Sequence, residues 1–256
     1  MPVRVPEDAL ARDPQRIEGM FSAIVPRYDL MNRLMTAGLD RRWRRLAAAE
    51  AGLRPGDEAL DACCGTGDLA LTLLHGCPDC RVIGADTSEA MLARARQKAA
   101  AGCAEVARGA AAAGPGEAVG RADFVRADLL DLPFVADRFA AATVAFGVRN
   151  VPDPGAAFAE LCRVVRPGGR VVCLEMTTAP PGPGRLFHSL WSERIVPLLG
   201  RFVGDDAGAY SYLPASVATF PDADGLAAVM AGAGLTAVRY RRLGFGAVSL
   251  HVGVVP

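Results

Sequence analysis

Between about residues 58 and 176 the chain alternates short apolar runs with amphipathic ones, and this rhythm restricts the fold more than any other feature. EALDACC (58–64), RVIGAD (81–86), ADFVRAD (122–128), FAAATVAF (139–146) and GRVVCLEM (169–176) read as strands. GDLALTLLH (67–75), SEAMLARARQKAA (88–100) and PGAAFAELCRVVRPGG (154–169) read as helices. Ser88 suits an N-cap, because its hydroxyl can accept from an orphan amide of the first turn. Pro167-Gly168-Gly169 sets the expected end of the third helix. Apolar strands separated by helices are buried on both faces, which means a parallel sheet between helical layers. After Leu235, LTAVRYRRLGFGAVSLHVGVV reads as two strands around Gly244 and Gly246, a hairpin that finishes the sheet antiparallel. The expectation is an α/β, Rossmann-like fold whose mostly parallel seven-stranded sheet ends in an antiparallel C-terminal hairpin strand.

Three stretches fall outside this rhythm. Residues 1–46 contain a helix pair, and residues 99–121 are an Ala/Gly-rich insertion, helical or mobile. Residues 179–204 open with APPGPG and continue as LFHSLWSERIVPLLGRFV, where Phe187, Leu190, Trp191 and Ile195 follow helical spacing. That stripe predicts a helix packed on the core; a lid over a lipid is the sharper reading. A single domain over 1–256 follows: a helical cap (1–46), a core (47–178), then a cover helix and the last strands (179–256).

Bulk properties remove several classes of function. The 28 basic residues equal the 28 acidic ones, so no net field favours nucleic acid or an anionic surface, and no basic patch is expected. Lys98 is the only lysine, a bias that reads as base composition rather than chemistry. MPVRVPEDALARDPQRIEGM lacks the apolar centre of a secretory signal, and no run reaches the ~20 apolar residues of a spanning helix. A cytoplasmic protein is expected. The 7 cysteines do not suggest a disulfide framework. Cys77 and Cys80, in CPDC, suit half a zinc site or a redox pair, but the companion ligands that zinc requires are missing from the sequence, so no metal is expected.

The chemistry concentrates at strand ends. Asp61-Ala62-Cys63-Cys64-Gly65-Thr66-Gly67-Asp68 follows the first strand, and its glycines let a ligand approach the backbone beside a helix N-terminus. Asp86 closes the second strand, where an acid takes the hydroxyls of a ribose. A nucleoside cofactor is implied, and Gly65, Gly67 and Ala70 fit NAD as well as S-adenosylmethionine. A short-chain dehydrogenase needs Tyr-x-x-x-Lys, whereas Arg94 stands four residues before Lys98. Asp128, ahead of Leu132-Pro133-Phe134, sits where methyltransferases contact adenine, and RPGG before a fifth strand is typical of them. The fourth strand leaves through AFGVRNVPDP, which sets Arg149 beside Asn150 at the sheet's ligand-binding edge.

These segments resemble the quinone-biosynthesis C-methyltransferases, the ubiquinone/menaquinone family, along nearly the whole chain. YDLMNRLMTAGLDRRW (28–43) is similar to the family's N-terminal signature. LDACCGTGDLAL, AFGVRNV and CRVVRPGGRVVCLEMT are similar to its central motifs, and GAYSYLPASVATFPD and GAVSLHVG to its C-terminal ones. The resemblance implies a class I S-adenosylmethionine-dependent fold and methylation of a ring carbon of a prenylated quinol, typically demethylmenaquinol. It implies a cofactor site of Asp61, Gly65, Thr66, Gly67, Asp86, Asp128, Leu129 and Ala145, and acceptor contacts from Tyr28, Asn32, Asp40, Trp43 and Tyr212. Arg149 and Asn150 become the catalytic pair, favouring a phenolate that attacks the sulfonium methyl; Asp40 and Tyr212 are candidates for the base. Asp40 stands where the family usually has histidine, Ala145 where serine is frequent, Arg166 for lysine and Thr177 for serine. The partners implied are a lipophilic quinol and a transient membrane surface, with room for a homodimer. Methylation of another aromatic compound at carbon or oxygen, an NAD-dependent oxidoreductase and an inert cofactor-binding partner are the alternatives.

Overall fold

A computed structural model describes residues 14–110, 121–180 and 216–256. Helices α1 (Pro14–Met35) and α2 (Leu39–Ala51) precede β1 (Glu58–Ala62), α3 (Asp68–Gly76), β2 (Arg81–Asp86), α4 (Glu89–Ala110) and β3 (Arg121–Arg126). There follow β4 (Phe139–Ala145), α5 (Pro154–Val164), β5 (Val165–Met176), α6 (Ala223–Gly232), β6 (Thr236–Leu243) and β7 (Val248–Val254). The strands form one seven-stranded sheet in the order β3-β2-β1-β4-β5-β7-β6. Only β7 runs against the rest, pairing antiparallel with both β5 and β6. The strand order reverses between β1 and β4, so their carboxyl ends leave a crevice open to a ligand.

Apolar residues on both faces of each central strand feed two cores. Leu60, Phe139, Ala142 and Val171 join Phe158, Leu161, Leu226 and Met230 of α5 and α6 on one side. Val82, Ala141, Val172 and Leu250 join Trp43, Ala47, Leu73 and Leu92 of α2, α3 and α4 on the other. Helix α2 is fixed by Gly38 and Gly52, both left-handed, and buries a stripe of Asp40, Trp43, Arg44, Ala47 and Ala51. Two polar members on a buried stripe need partners, and Asp40 and Arg44 find them first in each other.

The third helix of the alternating region stops earlier than its glycines predict, at Val164. Val165 already pairs with Phe139, and the Arg138 amide donates to the Val164 carbonyl at 2.9 Å. Pro167 disfavours helix at the residue before it. Gly169 instead serves an irregularity where the β4–β5 register shifts: a Cβ there would meet Val165 Cγ1 at 2.5 Å and the Ala140 carbonyl at 2.7 Å.

Cys77 and Cys80 are joined in a disulfide across the α3–β2 turn, at the amino edge of the sheet. No metal-ligating cluster occurs among the described residues. The Ala/Gly-rich insertion begins as helix, since α4 reaches Ala110; residues 111–120 lie outside the description. So do Tyr212 and the 186–203 stripe with Phe187 and Trp191. No described helix is long and apolar enough to cross a membrane.

Candidate active site

The β1–α3 loop begins from a buried acid. Asp61 is 1% exposed, and its Oδ1 accepts from Thr143 Oγ1 at 2.8 Å. Its Oδ2 is buried without a partner. Burial, with the Asp86 charge adding, pushes this carboxyl up to about 7, against the Thr143 bond and the weaker pull of the Ala70 amide, which makes no full hydrogen bond to Oδ2. The chain then turns through left-handed Cys63, Gly65 and Gly67. At Gly67 a Cβ would press on Ala95 and Phe124 at 3.0 Å, so glycine is required for helix α3 to approach the sheet.

Asp86 ties that loop to the next one. Its Oδ2 accepts the Gly65 amide at 2.8 Å and its Oδ1 the Ser88 amide at 2.9 Å. Both oxygens thus hold loop amides at the end of β2, where an acid meets the hydroxyls of a ribose in folds of this kind. Ser88 is the expected N-cap, its Oγ accepting from the Met91 amide at 3.4 Å.

The β4 exit lies against the β1 exit. A Cβ on Gly147 would come within 2.4 Å of Cys63 Cβ. Phe146, at φ 59, is left-handed like Cys63 beside it; non-glycine residues in that region gather at ligand sites. Next, a single 3-10 turn, Val148–Asn150, carries both candidate catalytic side chains. Arg149 is 5% exposed, and its Nη1 donates to the Phe146 carbonyl at 2.5 Å and to Glu175 Oε1 at 2.9 Å. Its own amide donates to Glu175 Oε2 at 3.3 Å. Glu175, fully buried at the end of β5, also accepts the Met176 amide at 2.8 Å. Arg149 Nε remains buried and unpartnered. The guanidinium is thus locked by one carboxylate from a neighbouring strand.

Helix α1 closes over this edge. Tyr28 is bonded by the Asn32 side chain, and burial raises its pKa while the charges of Arg44 and Arg149 lower it and that of Asp86 raises it. Its hydroxyl thus lies within electrostatic reach of Arg149 and Asp86. One residue on, Asp29 Oδ1 accepts from Thr66 Oγ1 at 2.6 Å. Lys98 Nζ reaches Asp29 Oδ2 at 3.2 Å, Thr66 Oγ1 at 3.1 Å and Asp68 Oδ1. Three ammonium hydrogens meet three oxygens from α1, the glycine loop and α3. The lone lysine, read from sequence as compositional bias, is the pin between cap and cofactor loop.

Other expected residues occupy plainer positions. Asp40 is buried in an ion pair with Arg44 at 2.5 Å and accepts from Thr36 Oγ1 at 3.0 Å. Arg44 also lies 5.6 Å above the Phe146 ring. Trp43 packs in the core against Gly244. Asp128 is exposed and accepts the Leu130 amide at 2.9 Å, while the Leu129 side chain is buried in the core, which leaves its main chain for any ligand. Ala145 ends β4, half-buried. Glu175, Asp29 and Lys98 were missed as site residues. Glu175 had a signal, being a lone carboxylate inside the apolar GRVVCLEM.

The sequence pattern of the ubiE/COQ5 methyltransferase family matches residues 10–255. A demethylmenaquinone methyltransferase of Thermus thermophilus is 45% identical over 237 residues, covering 93% of this chain and 100% of that protein. The ubiquinone/menaquinone biosynthesis C-methyltransferase UbiE of Desulfotalea psychrophila is 37% identical, covering 97% and 93%. In the solved complex of a methyltransferase with the Haloferax volcanii Trm112 activator, a chain superposes with a TM-score of 0.61 at 18% identity, covering 92% of this chain and 97% of that one. That likeness concerns the fold, class I and Rossmann-like. The crevice fits the cofactor of such a fold: an orphaned buried carboxylate oxygen, a glycine cradle and an acid at the end of β2. Through a family pattern that spans almost all of its length, and through relatives as close as these, this S-adenosylmethionine-dependent chain belongs to the ubiE/COQ5 methyltransferase family.

Proposed function

We propose that the enzyme methylates a ring carbon of a reduced, prenylated quinol, demethylmenaquinol in type, and that Arg149 and Asn150 do this work with Tyr28 above them. The observation that carries the reading is the buried guanidinium held by Glu175, with its Nε unpaired, at the carboxyl edge beside the cofactor loop. S-adenosylmethionine supplies an electrophilic methyl on a positive sulfur. Asp86 suits the ribose hydroxyls, the Leu129 main chain and Asp128 the adenine, and Asp61 Oδ2 a cationic group of the cofactor. Gly65 and Gly67 allow the close approach, with Thr66 and Ala145 on the same edge.

Attack by carbon requires the quinol hydroxyl to give up its proton. The ring carbon then forms its new bond as the sulfur recovers an electron pair, and the carbon's own hydrogen leaves as a proton to restore the ring. Arg149 does not take either proton, since a guanidinium pKa exceeds about 12. Fixed beforehand, it stabilises the phenolate or a water that carries the proton away. Burial keeps Tyr28 protonated, so it serves as a donor to the phenolate. Asn32 orients Tyr28, and Trp43 supports the cap from the core; Asp40 acts through Arg44. A prenyl tail brings the enzyme to membranes transiently. Incubation with S-adenosylmethionine and a panel of quinols, read by mass spectrometry, tests the proposal. One added methyl on a demethylmenaquinol is expected; NADH binding without S-adenosylmethionine binding in calorimetry would overturn it.

A further inference from the structure

Arg149 is not the only buried guanidinium beside the site. Arg44 is 7% exposed on the buried stripe of α2, and Asp40, one turn before it, is 3% exposed. Arg44 Nη1 donates to Asp40 Oδ2 at 2.5 Å, and the same nitrogen lies 3.9 Å from Asp68 Oδ2 at the start of α3. A charge removed from water needs such partners, because an uncompensated one is strongly unfavourable.

The two acids hold the guanidinium over the Phe146 ring, with its carbon 5.6 Å from the ring centre, within the range of a cation–π contact. Phe146 is the residue at which the β4 exit turns. Its amide donates to the Leu174 carbonyl at 2.8 Å, its φ of 59 is left-handed, and its carbonyl accepts from Arg149 Nη1 at 2.5 Å. One arginine thus holds the ring of this residue and the other its carbonyl. A bulky residue keeps such a conformation only where its surroundings fix it.

Each arginine has its own buried carboxylate, Asp40 for Arg44 and Glu175 for Arg149. Both positive charges reach Tyr28 on α1, where they lower the pKa of a hydroxyl that burial raises; Asn32 bonds to it and Asp86 opposes them. The charge of Arg44 also bears on Asp61 at the end of β1, again favouring the anion. Its field therefore spans the hydroxyl on the cap and the acid of the cofactor loop.

We propose that Arg44 is a positioning residue for the methyl transfer: clamped by Asp40, it fixes the Phe146 turn that carries Arg149 and adds a second positive charge beside the Tyr28 hydroxyl. The inference rests on the quinol reading, since a phenolate is what a second cation favours. Asp40 is then the counterion of Arg44 rather than a base.

The test compares the native protein with Arg44→Lys and with Asp40→Asn/Arg44→Met, which removes both charges so that no buried acid is stranded. Asp68 keeps Lys98 as its partner in either case. Turnover of a demethylmenaquinol is followed against pH at saturating S-adenosylmethionine, which takes cofactor binding, and the titration of Asp61 with it, out of the profile. In the double variant kcat should fall about ten-fold and the acid limb should move up by about one pH unit, as loss of one nearby cation requires. Arg44→Lys keeps the charge and should leave the limb in place. It should recover only part of kcat, because an ammonium cannot pair with Asp40 and also lie flat on the ring. Hydrogen exchange needs no acceptor: the amides of Phe146, Asn150 and Val151 should exchange about ten-fold faster in the double variant, with those of β2 unchanged. An unmoved limb in the folded double variant overturns the proposal whatever the exchange shows, and so does native kcat in Arg44→Lys. If the native protein methylates no quinol, the reaction reading fails by itself; faster exchange would then still support the hold on the turn, and unchanged exchange would refute that too.

Discussion

Replacing Asp61 with asparagine isolates the electrostatics of the cofactor loop, because the shape is kept and only the titration is removed. The carboxyl ionises near 3.9 in an unfolded chain and at about 7 when folded. That gap of about 3 units corresponds to about 4 kcal/mol, taken at the usual conversion. The folded protein holds this proton more tightly than the unfolded one does. The stabilisation is therefore complete below about pH 4 and is lost as pH rises to about 7, beyond which the free enzyme carries a buried, half-unpaired anion. Asparagine has no such dependence. In urea unfolding from about pH 4 to pH 8, the stability of the variant minus that of the native protein should rise by up to about 4 kcal/mol. Binding of S-adenosylmethionine should behave in the opposite way. A cation beside Oδ2 favours the ionised carboxyl, so the native protein releases a proton on binding below pH 7 and gains affinity with pH, while the variant binds weakly and without that slope. Calorimetry in two buffers of different ionisation enthalpy measures the proton directly. Parallel unfolding curves, with no proton released, would show that Asp61 is already ionised in the free protein and refute the reasoning.

Glu175→Gln can preserve one oxygen toward Arg149 Nη1 and Met176, but then points an NH2 at the Arg149 amide; we expect a loss of about 3 kcal/mol in urea unfolding. Turnover should fall while cofactor affinity holds, and unchanged turnover would reduce the pair to packing. Lys98→Arg replaces three radial donors with a planar fork, which should cost about 1–2 kcal/mol and speed amide exchange over residues 28–36. Gly147→Ala drives a methyl into Cys63 Cβ, 2.4 Å away, and should lower stability by about 1–3 kcal/mol in a thermal melt.

The sheet was legible because its strands are apolar on both faces, and that pattern is local. RVIGAD is a strand to the residue, and Asp86 closes it as the reading required, whereas Asp61, read as the start of the loop, still lies within β1. The β5 start was misread because two glycines serve equally as a helix stop or a bulge, and only the partner strand distinguishes them. The polar locks were harder. Lys98 lies 69 residues from Asp29, and Glu175 lies 26 from Arg149, so no local period connects them. Asp40 and Trp43 entered through resemblance alone; an ion pair and a core contact are what the fold gives them.

One turn of α1 has a consequence beyond holding the cap. Tyr28, Asp29 and Asn32 face the cofactor loop, while Leu30 and Leu34 on the same turn face outward. A helix segment of this length moves as a body, so anything that grips its outer side also fixes the hydroxyl of Thr66 on its inner side. Thermodynamic reciprocity then applies: whatever factor a ligand on the outer side adds to the affinity for S-adenosylmethionine, the cofactor adds to the affinity for that ligand.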